Sequence, residues 1–162
     1  MLNLLKVTLS AGFLMALAGL WAPPAVASES ESPTTAPVVE DANYAAGKQA
    51  IAAGDWKAAQ AALSKAVAKE PGDANAQNLL AYSYRKLGNL DQAFMHYNEA
   101  LRLDPKHRGA HEYIGEAYLM VGNLAKAEEH LAALDRLCTF GCEEYRTLKK
   151  AVAEYKQKSG AK

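Results

Sequence analysis

A 34-residue period is the feature that most restricts how this chain can fold. It is clearest in residues 74–107, where small, aromatic and helix-breaking residues recur 34 positions earlier and later. The equivalent positions are Gly47, Ala81 and Gly115; Gly54, Gly88 and Gly122; Ala59, Ala93 and Ala127; Leu63, Tyr97 and Leu131; and Pro71 and Pro105. Three copies at this period predict a repeat architecture in which each copy is one structural unit stacked on its neighbours.

The order of these positions resembles the tetratricopeptide repeat, a helix-turn-helix unit. The second copy carries the resemblance best, in Leu80, Ala81, Tyr84, Gly88, Ala93, Tyr97, Ala100 and Pro105. Small residues suit places where helices approach closely, and proline ends a helix because it has no N–H to donate. The resemblance implies an all-α, right-handed α-solenoid domain over 41–157, with three repeats near 40–73, 74–107 and 108–141.

The third copy departs from the pattern near its end. Leu134 replaces the expected alanine and Thr139 the expected proline, and one more amphipathic helix follows. Lys149 stands where a full repeat has glycine or alanine, so no further helix has to pack there. We therefore predict a C-terminal capping helix over 142–157 and a disordered tail over 158–162.

The N-terminal segment has the composition of a secretory signal peptide. Lys6 precedes an apolar run that ends in Pro23-Pro24 and Ala25-Val26-Ala27. We expect cleavage between Ala27 and Ser28, which leaves no membrane span and makes the bacterial periplasm the destination. A permanent membrane anchor is the alternative, but the run is short for a span. Residues 28–40, rich in Ser, Glu and Pro, are predicted to be a disordered linker.

Cys138 and Cys142 are the only cysteines, separated by Thr139-Phe140-Gly141. In an oxidising compartment we expect them to form a disulfide that joins the cap to the third repeat. Redox exchange and metal binding are the alternatives, although the spacing is not that of a C-x-x-C motif. Glu143 follows Cys142 where a c-type haem site requires histidine.

The four histidines fall at repeat positions. His107 is expected in the loop before a helix, and His111 is expected to be packed or to cap that helix rather than to bind a metal. His96 and His130 are 34 residues apart and are predicted to lie on the outer face of the array.

The composition and motifs argue against an enzyme. Half of the residues are hydrophobic, which suits a packed core, and the 18 basic residues balance 18 acidic ones. No net charge therefore attracts the chain to nucleic acid. No catalytic triad, phosphate-binding loop or zinc motif is present, so we expect no cofactor.

By resemblance to the family, the concave face of the array is the expected binding surface. Its predicted lining, facing away from the core stripe, is Tyr44, Lys48, Ile51, Asn75, Asn78, Tyr82, Arg85, Lys86, Glu112, Glu116, Leu119 and Met120. Amides, phenols and cations of this kind suit recognition of an extended peptide or a partner helix.

Cochaperone members of the family hold a C-terminal carboxylate with Lys, Asn and Arg at set groove positions. Here Tyr82 replaces an expected Asn, and Glu112 and Glu116 replace expected cations. Two carboxylates would repel an acidic tail. The predicted function is therefore protein–protein interaction without that carboxylate clamp. There are two alternatives. One is a scaffold that self-associates into a homo-oligomer, and the other is a thiol or metal carrier that uses the two cysteines.

Overall fold

The computed structural model describes residues 40–160, which fold into seven α-helices without strands. The helices are α1 (Ala42–Ala52), α2 (Trp56–Lys69), α3 (Ala74–Lys86), α4 (Leu90–Leu103), α5 (Arg108–Met120), α6 (Leu124–Leu137) and α7 (Glu143–Ser159). The first six form three hairpins that fall within the three expected repeats. The predicted all-α solenoid is confirmed.

Capping side chains and glycines set the helix boundaries. The side chains at Asp41, Asp55, Asp73, Asn89, His107 and Asn123 each accept a backbone N–H from the first turn of the following helix. Gly54, Gly88 and Gly122 have positive φ angles between the helices of the three hairpins. Because a side chain is strained in this conformation, glycine recurs there every 34 residues.

The helices form two layers. Each first helix contacts the next, so α1 contacts α3, α3 contacts α5 and α5 contacts α7. Within residues 40–160, the second helices α2, α4 and α6 make no comparable contact with one another. Successive repeats therefore approach more closely on the side of the first helices, and α1, α3, α5 and α7 line the concave face.

The core consists of three buried clusters that follow one another along the array. The middle cluster contains Ala81, Ala93, Tyr97, Ile114 and Ala117, and so joins the second repeat to the third. In α1, by contrast, Gly47 is the only buried residue. The Ala-rich first helix therefore packs thinly, because a terminal repeat has a neighbour on one side only.

Helix α7 acts as the predicted cap. Its Leu148 and Val152 are buried against Leu134 of α6, so the leucine that departs from the repeat pattern fills the space beneath the cap. The helix continues to Ser159, two residues beyond the expected end, which corrects part of the predicted disordered tail. Gly160, in the left-handed conformation, provides the helix stop.

The prediction that His96 and His130 lie on the outer face is wrong. His96 is half-buried, bonds Gln77 Oε1 through Nδ1 at 2.7 Å and stacks on Tyr84. His130 repeats this arrangement, with Nδ1 at 2.9 Å from His111 Nδ1 and its ring stacked on Tyr118. Both histidines face the first helix of their own hairpin, a contact that the period alone does not indicate.

The predicted signal peptide and cleavage site, and nearly all of the predicted linker, lie outside the described residues. Among residues 40–160, no helix has the length and apolar character needed to cross a membrane.

Candidate peptide-binding groove

An aromatic ladder crosses the concave face from the first repeat to the third. Trp56 meets Tyr82 edge to face with ring centroids 5.5 Å apart, and Tyr82 stacks on Tyr113 at 4.7 Å. Of these three residues, the sequence analysis predicted only Tyr82 in the groove. The spacing of 31 residues between Tyr82 and Tyr113, about one helical turn less than the repeat period, could have indicated that Tyr113 lies beside Tyr82.

Arg85 is part of the groove wall and is not a free cation. It is only 9% exposed, and its Nη2 lies 2.7 Å from Glu116 Oε2. Its Nε donates to the phenol oxygen of Tyr97 at 3.3 Å, and burial raises the pKa of that phenol. The guanidinium also lies 5.2 Å from the ring centroid of Tyr82. The predicted groove residues Arg85 and Glu116 are thus brought together as an ion pair between α3 and α5.

The cations nearer the N-terminal end of the groove remain more accessible. Lys86 is exposed and lies 4.9 Å from the ring centroid of Trp56. Lys48 pairs with Glu40 and lies 5.0 Å from the ring centroid of Tyr44, which is itself half-buried against the first core cluster. These contacts give this end of the groove aromatic surfaces edged by positive charge.

The C-terminal end of the groove is acidic. Glu112 is half-buried, and burial together with the charges of Glu116 and Glu144 raises its pKa to about 7. Glu143 and Glu144 stand in the first turn of α7, above the predicted groove residue Asn78. The sequence analysis predicted neither residue in the groove, because it is the docking of α7 on α5 that brings them there.

The remaining predicted lining residues differ in exposure. Asn75 is exposed at the start of α3, and Met120 is exposed at the end of α5. Ile51 packs against the first core cluster and Leu119 against the last. The structure therefore places these two apolar side chains at the edge of the core, not in an open groove.

The cysteines stand where α6 ends and α7 begins. Cys138 is the C-cap of α6 and Cys142 the N-cap of α7, and their sulfur atoms are at disulfide distance, 2.07 Å apart. The bond joins the cap to the third repeat, the role that the sequence predicts.

Comparisons with known proteins identify the repeat. Two family profiles described as tetratricopeptide repeat match the chain, over residues 44–107 and 86–152. The chain belongs to the tetratricopeptide repeat family. Members of this family are generally non-catalytic interaction modules. No curated protein sequence matches this tetratricopeptide repeat protein.

Solved structures share its fold. The TPR2B domain of yeast Sti1, in a complex with pHsp70, superposes with a TM-score of 0.65 at 25% identity, over 72% of this chain and 94% of the other. The translocator chaperone SycD of Yersinia enterocolitica gives 0.66 at 19% identity, over 73% and 83%. The first TPR of Spaghetti (RPAP3), bound to the Hsp90 peptide SRMEEVD, gives 0.62 at 19% identity, over 69% and 89%.

Proposed function

We propose that this tetratricopeptide repeat protein is a non-enzymatic adaptor of the bacterial cell envelope. It binds an extended segment or a helix of a partner protein on its concave face. The observation that carries the proposal is the ladder of Trp56, Tyr82 and Tyr113, which presents aromatic surface across all three repeats. Aromatic side chains contribute much of the energy at interfaces because they bury a large area with few rotatable bonds. Similar structures that hold peptides support this use of the fold.

Site-specific photocrosslinking tests the groove. A photoreactive amino acid in place of Lys86 reports on the concave face, and the same group in place of Lys126, exposed on α6, is the control. In the native envelope we expect a discrete crosslinked partner from position 86 only. Crosslinks of equal yield from both positions would contradict the proposal.

The variant Tyr82→Ala removes the central rung of the ladder. We expect it to weaken partner binding by about 2 kcal/mol, the loss typical of an aromatic residue at the centre of an interface. Phe140→Ala is the matched control, since Phe140 is 99% exposed in the turn between α6 and α7. Circular dichroism should stay helical for both variants, and equal affinities would move the site away from the ladder.

Export belongs to the same proposal. Expression of the full chain in a bacterium should yield a periplasmic protein that begins at Ser28. Mass spectrometry of the purified chain identifies its first residue. Recovery of an uncleaved chain in the cytoplasm would contradict the proposed location in the cell envelope.

Self-association is a second candidate function, favoured by apolar side chains along one edge of the array. Leu87 and Val121 are exposed at equivalent positions after α3 and α5, and Met120 is exposed beside Val121. Light scattering measures this directly. A mass that rises with concentration would support a scaffold, and a constant monomer mass would remove it.

A further inference from the structure

Arg85 stands at a repeat position that the fold otherwise fills with apolar side chains. The equivalent residues, 34 positions earlier and later, are Ile51 and Leu119. Ile51 packs against the first core cluster and Leu119 against the last, so an aliphatic side chain satisfies the packing at this position. In the middle repeat a guanidinium takes the place, although burying a charge is less favourable than burying a leucine. Core packing therefore does not explain the arginine.

The guanidinium lies beside both tyrosines of the aromatic ladder. Tyr82 on α3 and Tyr113 on α5 stack with ring centroids 4.7 Å apart and an angle of 25° between the ring planes. The Cζ atom of Arg85 is 5.2 Å from the Tyr82 centroid and 5.7 Å from the Tyr113 centroid. Both distances are in the range of a cation–π interaction. One charge thus attracts two rings at the place where the ladder passes from the second repeat to the third.

The two tyrosines have no polar anchor of their own. Within residues 40–160 the phenol oxygens of Tyr82 and Tyr113 form no hydrogen bond, and both side chains are only half-buried. A stack of two rings is a weak interaction by itself, and a half-buried ring can leave it by rotating to another rotamer. The attraction to Arg85 is what opposes this rotation in both rings at once.

Arg85 is itself held from two other sides. Its Nη2 lies 2.7 Å from Glu116 Oε2 on α5, and its Nε donates to the phenol oxygen of Tyr97 on α4 at 3.3 Å. Tyr97 is fully buried, so this contact ties the guanidinium to the core. Because Arg85 is only 9% exposed, it offers little surface to a partner, and its influence on binding passes through the rings.

We propose that Arg85 is a positioning residue of the groove, which keeps Tyr82 and Tyr113 stacked before a partner binds. Side chains that are ordered only on binding subtract free energy from the affinity, and rings that are already ordered do not. The proposal rests on the proposed function, since it assigns the residue that sets the shape of the ladder on which a partner segment lies.

The substitution Arg85→Leu tests this role, because leucine is what the third repeat carries at this position. Wild type, Arg85→Leu, Tyr113→Leu and the variant with both changes are compared. Arg102→Leu is the matched control, since exposed Arg102 pairs with Glu99 on α4, which carries no rung of the ladder. If Arg85→Leu fails to fold because Glu116 lacks its counter-charge, the same set is made with Glu116→Gln throughout.

The first measurement is NMR of the tyrosine rings in protein labelled with ¹³C at these rings. Stacked rings shift each other's proton signals upfield through their ring currents. We expect Arg85→Leu to move the Tyr82 and Tyr113 signals towards those of unstacked tyrosine, and Arg102→Leu to leave them in place. Unchanged ring signals in the Arg85→Leu protein would overturn the proposal.

The second measurement uses a peptide selected from a random library displayed on phage, for binding to the wild-type full chain and not to Tyr82→Ala. By fluorescence anisotropy, Arg85→Leu should bind the labelled peptide about tenfold more weakly, the effect of ordering two side chains on binding. Arg102→Leu should bind as the wild type. In the Tyr113→Leu background, Arg85→Leu should change the affinity less than about twofold, because no stack is left to hold.

The failure of each proposal gives a different result. An equal loss of affinity in both backgrounds, or a loss without any change in the ring signals, would overturn the positioning role of Arg85 and leave the groove function standing. Failure to select any peptide that prefers the wild type to Tyr82→Ala would overturn the groove function, and with it any role of Arg85 in binding.

Discussion

Gln77 and His111 make equivalent hydrogen bonds, each within its own hairpin and to the loop before it. Gln77 Nε2 donates to the carbonyl of Pro71 at 3.0 Å, and its Oε1 accepts from Nδ1 of His96. At the equivalent place in the third repeat, His111 Nε2 lies 3.1 Å from the carbonyl of Pro105. Because a neutral imidazole has one donor, His111 Nδ1 must then accept from His130. His111 therefore makes the same two hydrogen bonds that Gln77 makes one repeat earlier.

The histidine pair makes the third repeat sensitive to acid. Burial lowers the pKa of His111, and burial with the nearby His111 lowers the pKa of His130 to about 4. The unfolded chain therefore binds more protons than the folded chain between pH 6.5 and 4. The free energy of unfolding is unaffected by these histidines above pH 6.5 and decreases as the pH falls through this range. The raised pKa of Glu112 acts in the opposite direction, since its cost is relieved as pH falls below about 7.

We expect His111→Gln to fold as the wild type and to lose less stability on acidification. The substitution copies the Gln77–His96 pair into the third repeat, so it keeps both hydrogen bonds and removes one titrating group. Thermal unfolding at pH 7 and pH 5 measures the effect, as a smaller decrease in Tm for the variant. An equal decrease in both proteins would show that the pair does not control acid stability.

Helix α5 approaches the cap so closely that Gly115 leaves no room for a side chain. A Cβ atom built on Gly115 would lie 2.6 Å from one methyl carbon of Leu148 and 2.8 Å from the other. Leu148 is fully buried and cannot move aside without disturbing its neighbours. The glycine in this position of the repeat thus serves the docking of α7 on α5, which also brings Glu143 and Glu144 to the groove.

Gly115→Ala is expected to destabilise the protein by about 1–3 kcal/mol through overpacking, despite the better helix propensity of alanine. Gly109→Ala, earlier in the same helix, is the control, because its nearest neighbour would be Asn78 Nδ2 at 3.4 Å. Urea unfolding compares the two. In a Leu148→Ala background the Gly115 substitution should cost nothing, and a cost that persists there would contradict the steric cause.

Among the helices of residues 40–160, contacts run only within a repeat or between adjacent repeats, counting α7 as the unit after the third repeat. The stability of such a solenoid is approximately a sum of local terms, so a change at one end affects that end most. The cap is held by its buried leucine and valine and by the bond between Cys138 and Cys142.

Replacing both cysteines by alanine should lower the free energy of unfolding by about 2 kcal/mol, the entropic value for so short a loop. Cys142→Ser with Cys138→Ala should lose less, because a serine N-cap is worth about 1 kcal/mol to a helix and Cys142 provides no side-chain cap to α7. Denaturant unfolding gives the energies. Hydrogen exchange should show protection lost in α7 and kept in α3 and α4, and uniform loss would contradict local stability.

The repeat, the hairpins and their boundaries could all be predicted from the amino-acid sequence. A capping residue such as Asp55 and a positive-φ residue such as Gly88 act within one helical turn, so a local pattern is enough to predict them. It also indicated that Leu134 and Lys149 mark the end of the array. The family resemblance placed Tyr82 on the concave face, and helical spacing put it on the same side of α3 as the other predicted lining residues.

The contents of the groove could not be predicted in this way, because they depend on contacts between helices. The burial of Arg85 against Glu116, the ladder through Trp56 and Tyr113, and the approach of Glu143 and Glu144 to Asn78 all join different helices or repeats. Such contacts depend on the angle and offset at which one hairpin packs on the next. The 34-residue period predicts that hairpins repeat, but side-chain packing between hairpins sets the angle between them. That angle determines which charged side chains reach the face open to a partner.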